Sequence, residues 1–325
     1  MFISIASRLF HAAVLILFVL VLNFLLLQLA PGDPIDFIVG EMGGATPEMI
    51  EEIRRDYGLD RPIYEQLMIY LARAAQGNLG VSFYFQSPVV DLIFERLGAT
   101  VLLLFTAIVM ALFVGTFVGV IAARKPNSIF SNFLTIFALI GFSAPAFWSG
   151  MMLIVLFASV IPIFPIANMR DITISGGWFV QTLDVLYHLA LPAFTLAIIF
   201  MAQYSRLARA SMMEVLEADY IRTARAKGVA ENVVVFKHAL RNAILPILTV
   251  TGLHFAHLLS GAVLVETVFN WPGLGTLAFD SILRRDYTTI LGLLFFSAVM
   301  VIVANLLTDV CYRIADPRIR AGHKK

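Results

Sequence analysis

The sequence predicts an all-α membrane protein with about six transmembrane helices. Of its 325 residues, 60% are hydrophobic and only 14% are charged, whereas a soluble domain contains about 25% charged residues. Apolar runs recur along the chain, and about 20 helical residues are enough to cross the roughly 30 Å hydrocarbon core of a bilayer. The single cysteine, Cys311, excludes an internal disulfide and a cysteine-rich metal site.

Six apolar runs define the expected spans. The first begins after Arg8 and exceeds the apolar core of a signal peptide, which is about 7–15 residues, so we interpret it as a retained span. The third is too long for one straight span, and we expect a kink at Pro145 in its middle. The fourth is short and should continue into its neighbours. The runs are Leu9–Ala30, Ala99–Ala123, Ile129–Ile161, Leu189–Tyr204, Leu245–Phe269 and Ile290–Cys311.

The basic residues predict the orientation. Residues 124–125, 206–241 and 313–325 hold 14 of the 23 Lys and Arg, and Arg8 is a fifteenth, whereas residues 31–97 hold 11 Asp and Glu. The positive-inside rule then puts both termini of this multi-pass membrane protein in the cytoplasm. The predicted parts are an N-terminal transmembrane helix (1–30), an extracytoplasmic cap (31–97), a transmembrane core (98–312) that includes a cytoplasmic loop (206–245), and a cytoplasmic tail (313–325).

The extracytoplasmic segment carries helix signals of its own. Thr46 is a suitable N-cap, and Pro47 suits the first helical position. This helix should end near Gly58. A second helix should begin after Pro62 and end at about Gln76. We therefore expect a small helical cap rather than a separate domain.

The cytoplasmic loop is the most distinctive segment, because seven Lys and Arg lie within residues 206–241. Asp219 suits a helix start, and Gly228 suits a helix end because it can adopt a positive φ. A second helix should begin at Glu231, with Pro246 marking the start of the fifth span. The pair of helices could lie on anionic lipid head groups or form a docking site for a soluble partner. Three small residues favour docking: Ala218, Ala224 and Ala226.

Two segments of this loop, Tyr220–Gly228 and His238–Pro246, resemble the coupling loop of bacterial ABC importer permeases of the dipeptide, oligopeptide and nickel branch. Arg222–Ala224 replaces the Glu-Ala-Ala triplet of other ABC importers, and Leu245-Pro246 lies farther from Gly228; the peptide and nickel branch shares both departures. Other motifs of the branch occur in order: Leu29–Asp33, Gly77–Gly80, Ser143–Phe147, Leu191-Pro192, Glu266–Gly275, Arg285–Tyr287, Asn305–Asp309 and Asp316–Arg320.

The resemblance implies a type I ABC importer permease fold and a non-catalytic subunit of the bacterial inner membrane. The implied partners are two ABC ATPase subunits that bind ATP and Mg, a second related permease forming a heterodimer, and an extracytoplasmic solute-binding protein. This chain itself would bind no cofactor. The substrate could be a dipeptide, an oligopeptide, a nickel chelate or an opine-like compound. The implied ATPase-docking residues are Ala218, Asp219, Tyr220, Ile221, Arg222, Thr223, Ala224, Arg225, Ala226, Lys227 and Gly228.

The predicted spans contain no Lys or Arg, so their few ionisable residues are candidates for function. His254 and His257 share a helix face and could line the pathway, bond between helices or bind a proton or metal. We predict no metal site, because further ligands are lacking. Glu266 should lie in water near the external end, with Trp271 as an interfacial anchor. The pathway or gate candidates are Ser143, Pro145, Phe147, His254, His257, Glu266 and Trp271.

Two other classes of function remain open. An ion-coupled secondary transporter would need charged residues or broken helices at the midplane. An intramembrane serine protease would need an activated serine, for which Ser143 with His254 is the available pair. The chain has no phosphate-binding loop and no His-Glu-x-x-His motif. We expect no nucleic-acid partner, although the net charge of +1 by itself says nothing about one.

Overall fold

The computed structural model describes the backbone of residues 2–29, 39, 44, 46–56, 60–82, 84–256 and 262–315. Helices make up most of these residues, which confirms the predicted all-α class. The helices are α1 (Phe2–Leu29), α2 (Pro47–Asp56), α3 (Ile63–Ala75), α4 (Val89–Arg124), α5 (Ile129–Ser143), α6 (Ala146–Ile154), α7 (Trp178–Leu216), α8 (Asp219–Ala226), α9 (Leu240–Ala256), α10 (Val263–Val268), α11 (Leu274–Arg284) and α12 (Tyr287–Ala315). Two-residue strands, β1 (Val81–Ser82) and β2 (Ser87–Pro88), pair antiparallel.

Three of the helical stretches in the described residues are long and apolar enough to cross a membrane, namely α4, α7 and residues Glu231–Thr251. Shorter apolar stretches occur at Phe10–Leu26, Ala146–Val160 and Tyr287–Val303. The short fourth run does extend in both directions, since α7 has 39 residues. Such a helix is about 58 Å long, so it must project well beyond the hydrocarbon core.

The third apolar run is broken at the predicted proline. Helix α5 ends at Ser143, Pro145 has an extended backbone (ψ 136°), and α6 begins at Ala146. A π-helical segment, Val155–Val160, then completes the run. The break is sharper than the expected kink, because the proline lies between two helices and not inside one.

The chain forms two compact units, and the first comprises residues 1–98 and 273–304. Both predicted cap helices are present in it as α2 and α3, and the Thr46 hydroxyl accepts a hydrogen bond from the Met49 N–H (3.3 Å). The buried Asp286 carboxylate accepts hydrogen bonds from the hydroxyls of Ser82 (2.7 Å) and Thr289 (2.5 Å) and from the Thr289 N–H (3.0 Å). It thereby caps the start of α12 and fastens the strand pair to it.

The second unit, residues 99–272 and 305–325, contains residues 206–245, the predicted cytoplasmic loop. Helix α7 contacts α5, α6 and α9. Helices α4 and α7 approach each other closely at Gly115 and Gly119, where an added β-carbon would lie 2.9 Å from Tyr204 Cβ and 2.7 Å from Ala208 Cβ, respectively. Glycines spaced four apart let helix backbones approach each other in this way.

Candidate functional site

The predicted docking segment forms a short, sharply ended helix, α8. It begins after Ala218, which has an extended backbone, and Gly228 follows its end with φ +76°. The Gly228 N–H donates to the Arg225 carbonyl (2.9 Å) and the Val229 N–H to the Ala224 carbonyl (3.3 Å). These two bonds form a Schellman motif, which satisfies carbonyls that would otherwise lack partners. The predicted glycine stop is confirmed.

The inner face of α8 is anchored by Ile221, which is completely buried. It packs into an apolar group that we call the base cluster, to which α4, α7 and the chain after Glu231 all contribute. Burying an isoleucine side chain contributes about 1.5–3 kcal/mol. The base cluster consists of Val120, Ala123, Met212, Ile221, Val234, Val235, Ala239 and Ala243.

Polar contacts hold the ends of α8. The Arg225 guanidinium donates to both carboxylate oxygens of Glu231 (2.8 and 3.1 Å) and also to the Leu216 carbonyl (3.4 Å). The hydrogen bonds to Glu231 raise the pKa of Arg225 above its usual value. At the other end, the Asn242 amide donates to the Tyr220 hydroxyl (2.7 Å). The helix is therefore clamped to the end of α7 and to the chain that follows it.

The outer face of α8 is exposed in the part of the chain that the structure describes. Asp219 is 99% exposed and Arg222 is 71% exposed. Thr223 and Ala226 are also exposed, whereas Ala218 and Ala224 are half-buried. Since Ala224 packs against the base cluster, only Ala226 of the three predicted small docking residues lies fully on the outer face.

The second helix of the loop begins at Glu231, as predicted, but the expectation that it is separate from the fifth span is wrong. Helical residues run without a break from Glu231–Val233 through a π-helical segment, Val234–Ala239, into α9, and Pro246 lies inside α9. The physical reason is that Val234 and Val235 are buried in the base cluster, so the chain after Glu231 is part of the packed helical stretch Glu231–Ala256 rather than of a surface segment. Neighbouring helices allow such a proline to persist in a membrane helix.

The pathway candidates in the third run lie at its break. Ser143 ends α5, Pro145 precedes α6, and Phe147 is in the first turn of α6; all three are exposed. His254 belongs to α9, but its side chain and the whole of His257 lie outside the described residues, so their shared face stays a prediction. Within the described part of the chain, no three His, Cys, Asp or Glu side chains converge to hold a metal ion.

Glu266 and Trp271 are not the water-exposed residues that the sequence suggested. Both are 0% exposed. The Thr100 hydroxyl donates to the Glu266 carboxylate (2.7 Å), and the Trp271 indole N–H donates to the Ala99 carbonyl (2.8 Å). The expectation failed because the turn at Asn270, which has φ +48°, folds the chain back into the core, where polar groups need protein partners.

The sequence analysis also missed a buried polar pair at the start of α7. The His188 ring nitrogen Nδ1 lies 3.1 Å from the Asp184 carboxylate, whose other oxygen accepts the Asp171 N–H (2.9 Å). The pair therefore fastens the preceding loop to α7. Its signal in the sequence is an Asp and a His four residues apart, which places them on one helix face.

Comparison with known proteins agrees with this geometry. Residues 115–321, which include α8, match the family described as the binding-protein-dependent transport system inner membrane component. The chain belongs to this family. Residues 1–104 of this transport component match the N-terminal part of the same kind of membrane component. As a member of a transport family, it is a non-catalytic membrane subunit, and the predicted family and membrane location are confirmed.

Relatives of the transport component are similar over almost its whole length. It is 40% identical to the di/tripeptide transport system permease protein DppB of Pseudomonas aeruginosa, over 93% of this chain and 94% of the relative. It is 39% identical to the oligopeptide transport system permease protein AppB of Bacillus subtilis, over 94% of this chain and 95% of the relative. It is 40% identical to the dipeptide transport system permease protein DppB of Escherichia coli K12, over 94% of this chain and 94% of the relative.

Proposed function

We propose that this chain is the permease subunit of an ATP-driven importer that moves dipeptides or oligopeptides across the bacterial inner membrane. The names of its relatives support the substrate class. Family membership argues against the alternatives of an ion-coupled secondary transporter and an intramembrane serine protease. The working complex would also contain a second, related permease, two ABC ATPase subunits that bind ATP and Mg, and an extracytoplasmic solute-binding protein.

The single observation that carries the coupling proposal is the construction of α8. Its outer face is exposed, while its inner face is fixed through Ile221 to the base cluster. That cluster contains side chains from α4, α7 and the helical stretch Glu231–Ala256. An ATPase that bound the outer face would therefore move three membrane helices together, because a close-packed contact transmits displacement with little loss.

The direction of transport then depends on which state the ATPases prefer. ATP-bound ATPases would close around the docked α8 helices of the two permeases and favour the outward-open state. The population can shift only by the difference in their affinity for the two states, and a shift from 1:99 to 99:1 needs about 5.5 kcal/mol. Both termini and α8 would face the cytoplasm, as the basic residues predict.

The break between α5 and α6 is the proposed position of a gate. Ser143 and Pro145 lie in non-helical or terminal backbone inside an apolar run. Irregular backbone at membrane depth is tolerated where it is covered by protein or faces a water-filled cavity. A peptide passing this point would meet Ser143, Pro145 and Phe147, which are all exposed.

The experiment is affinity purification of the full complex with a tag on this chain. Ala226→Trp adds a bulky side chain to the outer face of α8, and Ala75→Trp makes the same change at another exposed position, the end of α3. We expect Ala75→Trp and the unmodified chain to retain two ATPases and a second permease. Ala226→Trp should lose the ATPases and keep the second permease.

Uptake of a labelled dipeptide separates the two parts of the proposal. Loss of ATPase binding with Ala226→Trp, together with uptake by the unmodified complex, supports both the docking face and the substrate. Full ATPase binding by Ala226→Trp would refute the docking face. Intact ATPase binding without uptake of any peptide would refute the substrate class alone.

A further inference from the structure

A basic cavity lies between α4, α5 and α7, at the end of α7 that leads to α8. Its volume is about 460 Å³. Two arginines and two serines provide its polar lining, and no acidic residue is among the described residues that line it. The lining residues are Val118, Ala122, Ser131, Leu134, Ser205, Arg206, Arg209, Ala210 and Met213.

A second cavity continues from the first and is almost entirely apolar. Its volume is about 240 Å³, and it shares Val118, Leu134 and Ser205 with the basic cavity. It extends along α7 as far as Phe194, so the two cavities together follow 20 residues of this helix, or about 30 Å. Val114 lines the apolar cavity and is 44% exposed, which indicates an opening on the apolar surface.

Three features make the basic cavity suitable for an anion. The Arg209 guanidinium donates to the Pro126 carbonyl (3.0 Å), which holds it at the turn between α4 and α5. Ser131, in the first turn of α5, also lines the cavity, so the positive end of the α5 dipole adds to the charge of the arginines. Arg206 is exposed and forms no ion pair with the residues that the structure describes.

We infer that these joined cavities bind one anionic phospholipid, with its phosphate at Arg206 and Arg209 and an acyl chain in the apolar cavity. A soluble phosphate would use the basic cavity alone, and a neutral lipid would use the apolar cavity alone. Only a negatively charged head group joined to an acyl chain matches both. Basic pockets between membrane helices at the cytoplasmic side are suited to such head groups.

A lipid in these cavities would lie beside α4 and α7, the helices that we propose move with α8. Gly115 and Ser205 lie at the close crossing of α4 and α7 and also line the apolar cavity. Met213 lines the basic cavity next to Met212 of the base cluster. A bound lipid would therefore fill the space beside the helices that carry α8 and stabilise one arrangement of them.

The test is native mass spectrometry of the full chain after exposure to mixed micelles with equal amounts of phosphatidylglycerol and phosphatidylcholine. We expect the unmodified chain to retain phosphatidylglycerol. Arg206→Gln should retain about fivefold less, because one basic residue near an anionic head group contributes about 1 kcal/mol. Lys125→Gln, which removes a charge from an exposed residue outside the lining, should retain as much as the unmodified chain.

A steric variant tests the apolar half of the site. Leu134→Trp reduces the space shared by the two cavities without changing the charge, and it should also lower phosphatidylglycerol retention. Because Arg206 is exposed, Arg206→Gln provides a test even if Leu134→Trp does not fold. Equal retention by Arg206→Gln and the unmodified chain, or equal retention of the two lipids, would overturn the inference.

Two further outcomes would identify a different occupant. Displacement of the lipid by soluble glycerol phosphate at matched concentration would show a simple anion site and contradict an acyl-chain site. In a Cys311→Ser background, efficient crosslinking of Met213→Cys to the second permease would show that protein covers the cavity. Retained phosphatidylglycerol that resists glycerol phosphate, with no such crosslink, supports the lipid site.

Discussion

The close crossing of α4 and α7 can be tested with one chemical change at two positions. A β-carbon on Gly119 would lie 2.7 Å from Ala208 Cβ and closer still to the Ser205 carbonyl oxygen. At Gly98, on the same helix, no described atom lies within 4 Å of the equivalent position. Gly119→Ala and Gly98→Ala therefore add the same methyl group to a closed and to an open environment.

The expected difference follows from these distances. Carbon atoms in contact lie about 3.5–4.0 Å apart, so the backbones at Gly119 must separate by roughly 1 Å. Such overpacking costs about 1–3 kcal/mol. Both substitutions gain about 1 kcal/mol from the higher helix propensity of alanine, and Gly98→Ala has only this gain. The two variants should therefore differ by about 2 kcal/mol in free energy of unfolding, or about 3 °C in apparent Tm for a chain of 325 residues.

The assay is thermal unfolding of the full chain in detergent, followed by size-exclusion chromatography. Gly115→Ala provides an intermediate case, because its added carbon would lie 2.9 Å from the Met201 carbonyl oxygen. The order of stability should be Gly98→Ala, then Gly115→Ala, then Gly119→Ala. If Gly119→Ala were as stable as Gly98→Ala, the proposed close contact between the helices would be refuted.

Three further predictions concern the contacts around α8 and the buried turn. Ile221→Ala should lower the free energy of unfolding by about 2–5 kcal/mol, measured by the same thermal assay, because it leaves a cavity in the base cluster. Arg225→Ala should change stability by less than about 1 kcal/mol, since the pair with Glu231 is partly exposed. It should, however, lower the amount of dipeptide taken up per ATP hydrolysed. An unchanged ratio of uptake to ATP hydrolysis would count against a role of the Arg225–Glu231 contact in coupling. Trp271→Phe should lower stability by about 1–3 kcal/mol, because the Ala99 carbonyl loses a buried donor; an unchanged apparent Tm would show that this bond is not needed.

Several elements could be predicted from local signals. Thr46 and Pro47 start α2, and Gly228 ends α8, because capping and positive φ depend on a few neighbouring residues. Pro145 breaks the third run because a proline lacks the N–H that a helix interior needs. The family resemblance, carried by Tyr220–Gly228, also followed from the sequence and is confirmed.

The position of each residue inside or outside the core could not be predicted in the same way. Glu266 and Trp271 have the character of interfacial residues, yet both are buried because Thr100 and Ala99 of α4 supply their hydrogen-bond partners. Those partners lie more than 160 positions away in the chain. No local pattern predicts such a contact.

The sequence by itself determined that this protein is a membrane transport component with a short helix at Asp219–Ala226, because hydropathy, capping and motif residues are local properties. Only the tertiary structure decided which face of that helix is available. Ile221 became its anchor and Ala226 part of its outer face because side chains of α4, α7 and the helical stretch Glu231–Ala256 converge beneath one side. Which face of a helix is exposed depends on what packs against its other face, and that packing requires contacts between distant segments of the chain.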